Sequence, residues 1–177
     1  RLPGNISIIG ELSERIDKKE KFAVCYVDLN KFKAYNDSYG FEHGDDIIKE
    51  TARILIRAVQ EIGTDSDFIG HIGGDDFVVI TKVETAEAIS GRIIADFDLS
   101  APHFYNETDR ENGYILAKDR AGNMQKVPLV SVSIGIVTNE LRKIEHVAQV
   151  GEIGAELKAF AKSKEGSNYV KDKRKEE

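Results

Sequence analysis

The sequence predicts an α/β fold in which a central mixed, mostly antiparallel sheet is flanked by helices. Three observations carry that expectation. Lys21 to Leu29 is nearly continuously apolar, as in a strand covered on both faces. Phe68 to Thr81 places two apolar, partly β-branched runs around Gly73-Gly74-Asp75-Asp76, the pattern of a hairpin with a glycine-permitted turn. Asp45 to Ile62 carries Ile47, Ile48, Thr51, Ile54, Leu55, Ala58, Val59 and Ile62 on one helical stripe, with Lys49, Glu50, Arg53, Arg57 and Glu61 outside it.

The remaining elements follow in chain order. Asn5 to about Asp17 reads as a first helix with Asn5 as its N-cap and Ile8, Ile9, Leu12 and Ile16 inward. A short helix spans about Asn30 to Ser38 and stops at Gly40. Gly63 stops the long helix. Another helix covers about Thr85 to Phe97, with Ala88, Ile89, Ile93 and Ile94 inward. Residues 98–127 read as an insertion: Tyr114 to Ala117 and Met124 to Val127 flank Asp119-Arg120-Ala121-Gly122-Asn123, a second hairpin. Leu129 to Val137 is a core strand. Ile144 to Lys162 is a last helix with Val150, Ile153, Leu157 and Phe160 inward, and Asn168 to Val170 adds an edge strand. Residues 1–170 are therefore expected to form one domain, and Lys171 to Glu177 a solvated, charged tail.

Bulk properties narrow the function. The chain has 177 residues, enough for one domain with a sizeable core. Its net charge of −6 argues against a general nucleic-acid binder, which needs a basic face. A nucleotide enzyme stays open, because a bound divalent ion offsets local negative charge. No apolar run approaches the ~20 residues of a membrane span. The single cysteine, Cys25, sits in an apolar run and reads as a small buried residue, with no disulfide framework to join. The expected location is the cytoplasm. The abrupt start at Arg1 suggests a fragment of a longer protein, with room for a membrane or sensor segment upstream.

The chemistry concentrates in two places. In the first hairpin Asp75 and Asp76 are lifted to the rim of the sheet beside Gly73 and Gly74, where backbone can approach closely. Carboxylates so held suit hard cations and the phosphates these carry. Asp28 ends the apolar strand and reaches the same rim if the two strands are neighbours. A plainer reading makes Asp28 a helix cap and Asp75 a turn residue. No G-x-x-x-x-G-K-[ST] occurs, so the phosphate cradle is not a P-loop. An EF-hand from Asp28 fails, with Lys33 where glycine is needed and Tyr39 where glutamate is needed. His43, His103 and His146 lack metal-ligand spacing, and His71 reads as structural.

Together the two blocks resemble the GGDEF domain family, diguanylate cyclases with a palm-like, nucleotidyl-cyclase-like fold. The first block of that family runs roughly D-x-D-x-F-K-x-x-N-D-x-x-G-H-x-x-G-D. This chain matches at Asp28, Phe32, Lys33, Asn36, Asp37, Gly40, Gly44 and Asp45, and departs at Asn30 and Phe41. Leu2-Pro3-Gly4-Asn5 resembles the family's L-P-N-R, and Val130 to Ile136 its late strand. The resemblance covers nearly the whole chain.

The resemblance implies condensation of two GTP into cyclic di-GMP and pyrophosphate by a homodimer, since a monomer cannot close the ring. It implies Mg²⁺ or Mn²⁺ held by Asp28, the Leu29 carbonyl and Asp75, and a catalytic pair Asp75 and Asp76, with Asp76 standing where the family has glutamate. It assigns Lys33 and Lys162 to the triphosphate, Gly73 and Gly74 to close phosphate approach, and Asn36 and Asp45 to guanine. A surface lysine at Lys33, a turn at Asn36 and a helix N-cap at Asp45 are the plainer alternatives. The family's late A-K-x-x-G-R-N becomes Ala161-Lys162-Ser163-Lys164-Glu165-Gly166-Ser167-Asn168, with serine for arginine and one residue inserted. The family's inhibitory R-x-x-D becomes Thr64-Asp65-Ser66-Asp67, which lacks the arginine that would clamp product. These departures keep a second reading open: a GTP-binding or protein-contacting regulatory module without turnover.

Overall fold

The computed structural model describes residues 1–175. A five-stranded sheet runs in the order β2-β3-β1-β6-β7, with β1 Ala23–Asn30, β2 Phe68–Gly73, β3 Asp76–Thr81, β6 Ser131–Thr138 and β7 Asn168–Lys171. Only the β6–β7 pairing is parallel; β1 pairs antiparallel with both β3 and β6. Helices cover both faces: α1 Asn5–Asp17 and α6 Val147–Lys162 on one, α3 Phe41–Ile62 and α4 Val83–Ser100 on the other.

Strand β1 shows why the core divides in two. Successive strand side chains point to opposite faces. Ala23, Cys25, Val27 and Leu29 join the α3/α4 core, while Val24 joins the α1/α6 core. Cys25 is fully buried, its thiol pushed up to about 12 first by burial, as a structural cysteine should be. By the same alternation Asp28 falls on the α6 side. Its antiparallel partner on β3 is Asp76. Directly opposed residues share a face, so register alone brings two carboxylates together beneath α6.

Helix α6 lies close to the sheet because Gly135 on β6 has no side chain. A Cβ there would stand 2.8 Å from the Leu157 Cβ and 3.2 Å from the Lys158 nitrogen. Gly154 gives the matching relief from the helix side, where a Cβ would overlap the Tyr26 ring.

Several boundaries and faces differ from the sequence expectation. Helix α1 is capped at Gly4 without a side-chain hydrogen bond, and Asn5 is its first residue, so Asn5 is not the N-cap. Ile9 is exposed, as are Ala88 on α4 and Phe160 on α6. Helix α3 begins at Phe41, directly after Gly40, whose φ of 92° turns the chain between it and α2 Phe32–Tyr39. Asp45 therefore lies within α3 and does not cap it. The expected solvated tail begins too early. Lys171 is the last residue of β7, and Asp172 is buried, held by Arg174 Nε at 2.9 Å and Arg142 Nε at 3.6 Å. Glu176 and Glu177 lie outside the described residues.

The insertion is anchored to α2. After α4 come a short 3-10 turn, α5 Glu107–Asn112, and a separate hairpin of β4 Tyr114–Lys118 and β5 Met124–Pro128. The Tyr35 hydroxyl donates to the Phe104 carbonyl at 2.8 Å, the Val130 nitrogen donates to the Tyr105 hydroxyl at 2.8 Å, and the Tyr39 hydroxyl bonds Asp109. The rings of Tyr35 and Tyr39 stack at 4.8 Å, with Tyr105 edge-on.

Candidate metal and nucleotide site

Carboxylate oxygens of Asp28, Asp75 and Asp76 lie within 4.8 Å of one another, the only such metal-binding arrangement among the described residues. The hairpin turn presents Asp75. Gly73 at φ 153° and Gly74 at φ 52° supply backbone conformations that other residues adopt at a cost. A Cβ at either glycine would meet nothing within 4 Å, so the turn is open to close approach from outside. The Leu29 nitrogen donates to the Asp75 carbonyl at 3.3 Å and ties the turn to the end of β1. His71 braces the hairpin, its ring stacked on Phe77 at 4.4 Å and its Nε2 2.9 Å from the Gly74 carbonyl oxygen. That is the structural role expected of it.

Electrostatics show a site under strain from its own charge. Asp28 has 8% of its surface exposed. Burial, then a hydrogen bond with Asp76, pushes its carboxyl up to about 6, against the opposing pull of Lys162. Asp75 is also raised, by burial first and by the Asp76 charge second. One Asp76 carboxylate oxygen is buried without a hydrogen bond. Carboxylates crowded in this way are relieved by a cation. The donors are hard oxygens, which suit Mg²⁺ or Mn²⁺. The residues present, Asp28, Asp75 and Asp76, therefore fit a divalent ion.

Two lysines one turn apart on α6 face these acids. Lys162 Nζ is 3.2 Å from Asp28 Oδ2, 3.3 Å from the Leu29 carbonyl oxygen and 3.1 Å from Asn30 Oδ1. Lys158 Nζ is 3.6 Å from Asp76 Oδ1 and 3.9 Å from Asp28 Oδ2. The motif reading names Lys162 and misses Lys158. Spacing was an available signal, since residues four apart share a helix face. Beyond Lys162 an open groove of about 420 Å³ is lined by Asn30, Lys31, Ser131, Lys162 and Lys164 among others. A larger groove of about 630 Å³ lies at the opposite end of β1 around Asn139–Glu145 and holds none of the site residues.

The other expected residues form a second corner. Gly44 on α3 packs against Asn36 on α2 so closely that a Cβ would overlap the Asn36 carboxamide oxygen, which is buried and has no hydrogen-bond partner. Asp45 follows Gly44 and is exposed, and Lys33 is exposed on the first turn of α2. Among the described residues, Asp28 and Asp76 of the trio pair with Lys158 and Lys162 and not with Lys33. Gly44→Ala is expected to expel the Asn36 carboxamide from this corner by steric overlap, with melting temperature little changed. A thermal melt and the Asn36 side-chain amide signals by NMR check both halves.

Two departures from the motif have structural uses. Ser167 Oγ accepts from the Val132 nitrogen at 3.0 Å and donates to Asp98 Oδ1 at 2.6 Å, clamping β6 to α4. Asn30 bridges Ser131 Oγ at 2.9 Å and Ser133 Oγ at 3.0 Å as well as Lys162. Lys164 Nζ lies over the Phe160 ring at 4.8 Å. The Thr64 to Asp67 segment closes on itself through Asp67 and receives the Arg15 guanidinium on the Ser66 carbonyl.

The chain matches the family described as "Diguanylate cyclase, GGDEF domain" over residues 6–164. The probable diguanylate cyclase DgcE of Escherichia coli is 34% identical over 79 residues, covering 43% of this chain and 7% of that protein. The chain therefore corresponds to a small part of such a relative. Among solved structures, the GGDEF domain of YfiN (TpbB) from Pseudomonas aeruginosa superposes with a TM-score of 0.70 at 21% identity, covering 98% of both chains. The active GGEEF domain of a Vibrio cholerae diguanylate cyclase gives 0.68 at 16% identity, covering 97% of this chain and 99% of that one. These likenesses support the same fold, a helix-flanked and mostly antiparallel sheet. Sequence motif, topology and family match agree, and the chain is a member of the GGDEF domain family.

Proposed function

We propose that this domain is a diguanylate cyclase: two copies, each holding one GTP, form cyclic di-GMP and release pyrophosphate. The observation that carries the proposal is the convergence of Asp28, Asp75 and Asp76 beneath Lys158 and Lys162. In each half-reaction a 3′-oxygen forms a bond to the α-phosphorus of the other GTP, and the bond to pyrophosphate breaks. A divalent ion held by Asp28, Asp75 and the Leu29 carbonyl supplies charge stabilisation on the reacting phosphate oxygens.

The chain's own residues do the rest. In this reading Asp76 takes the 3′-hydroxyl proton. Lys162, with Lys33, neutralises the triphosphate, and the groove toward Lys31 and Lys164 suits its tail. Gly73 and Gly74 admit phosphate close to the backbone. The unpartnered Asn36 oxygen can accept from a guanine nitrogen, and the Asp45 carboxylate from guanine N1 and N2 hydrogens, which adenine does not offer. The full-length protein would carry an upstream sensor or receiver domain and work in the cytoplasm. No described helix is long and apolar enough to cross a membrane. Product should not inhibit through residues 64–67, where no arginine clamps it.

Purified protein held as a dimer, given GTP and Mg²⁺ or Mn²⁺, should release pyrophosphate and cyclic di-GMP. Absence of both products would reject the cyclase reading. A second reading, nucleotide binding without turnover, is favoured by Asp76. It is one methylene shorter than glutamate, and Lys158 already pairs with it. GTP binding by calorimetry without product is that reading's signature. If the short side chain merely weakens the site, Asp76→Glu should raise the rate by roughly ten- to a hundredfold, since about 1 Å of misplacement costs that much. An unchanged or lower rate favours the regulatory module.

A further inference from the structure

We propose that Lys162 is a tethered counter-cation, competing with the divalent ion for the Asp28 carboxylate and the Leu29 carbonyl, and turning to the triphosphate when the ion binds. The inference rests on the reading of the acidic trio as a metal site.

A lysine ammonium has three donors. Those of Lys162 have three acceptors within reach: Asp28 Oδ2 at 3.2 Å, the Leu29 carbonyl at 3.3 Å and Asn30 Oδ1 at 3.1 Å. The first two are oxygens that the divalent ion would take. An ammonium and a divalent cation sharing those oxygens would stand a few ångströms apart with like charge, and the repulsion favours one at a time. Lys162 is built to yield. It is the last residue of α6, its side chain is 37% exposed, and its flexible four-carbon stem lets the head swing without moving the helix. The lysine-lined groove beside it is where the phosphates would lie.

Asn30 adjusts the grip. An aspartate there would hold the ammonium by full charge, whereas the amide oxygen holds it by a dipole already shared with Ser133. Lys158 is the internal control. It brings the same charge to the same acids but stands 3.6 Å from Asp76 and 3.9 Å from Asp28, at ion-pair distance. One lysine competes for ligand oxygens, and the other contributes charge alone.

The test uses the full chain with Mn²⁺ and no nucleotide. Lys162→Met should tighten Mn²⁺ binding about tenfold or more, and Lys158→Met by a clearly smaller factor, since both remove one positive charge. In the unsubstituted protein, saturating Mn²⁺ should raise amine-reagent labelling of Lys162 several-fold, read by mass spectrometry, with Lys158 little changed. Equal tightening by the two substitutions, or unchanged Lys162 labelling with Mn²⁺ bound, would overturn the inference and leave the metal site standing. No Mn²⁺ binding by any of the three proteins would overturn both. Should Lys162→Met fail to fold, the labelling of the unsubstituted protein decides.

Discussion

Asp28→Asn is expected to lose turnover by roughly 1000-fold while making the protein more stable. The loss follows from the proposed role of Asp28 as a metal ligand, since an ion held there would supply several kcal/mol of transition-state stabilisation, about 1.4 kcal/mol per factor of ten. The gain follows from the raised carboxyl. Asp28 titrates near 6 in the folded protein, against about 4 in an unfolded chain. Folding with Asp28 ionised therefore costs free energy. The cost is full above about pH 6 and fades as pH falls through 6 toward 4, because the folded state binds the proton more tightly. Asparagine removes the charge but also a partner of Lys162, so a net gain of about 1–2 kcal/mol is expected at pH 7.5 with chelator present. Thermal melts of both proteins from pH 4 to 8 check it: the gap should be widest above pH 6 and close toward pH 4. A variant less stable than the parent at pH 7.5 would mean that Lys162 outweighs burial and Asp76.

Gly135→Ala is expected to damage activity out of proportion to stability. The added methyl would stand 2.8 Å from the Leu157 Cβ and 3.2 Å from the Lys158 nitrogen, so the α6 backbone has to move outward. Overpacking of this kind costs about 1–3 kcal/mol. The same helix sets Lys158 and Lys162 over the acids, and a shift approaching 1 Å is worth about 100-fold in rate. Stability by denaturant titration and rate by pyrophosphate release should separate. The chain should still fold, with turnover down by roughly two orders of magnitude. A rate that falls no further than melting explains would show that α6 does not set the lysines.

Legibility of this site in the sequence followed the physics of each element. The pairing of Asp28 with the Asp75-Asp76 turn was legible because an apolar strand and a glycine hairpin both have strong local signatures, and two-residue alternation decides the face. The lysine at 162 came with the motif. Lys158 did not, although its four-residue spacing to Lys162 was in plain view. Ser167 stands out in the sequence only as a serine for the family's arginine, and its clamp between β6 and α4 depends on Asp98, 69 residues away. Long-range partners of that kind leave no local pattern. For the same reason Asp172 looked like tail, while its burial depends on Arg142 and Arg174. Asp45 looked like a cap because aspartate favours that place. The real start of α3 is set four residues earlier by Gly40, whose positive φ ends one helix and begins the next.

Anomalous diffraction from crystals grown with Mn²⁺ and a non-hydrolysable GTP analogue would locate the ion. A manganese peak is expected within coordinating distance of Asp28, Asp75 and the Leu29 carbonyl, with Lys162 turned toward the phosphates. A nucleotide bound with its ion away from Asp28 and Asp75, or those two carboxylates directed into separate cavities, would contradict it.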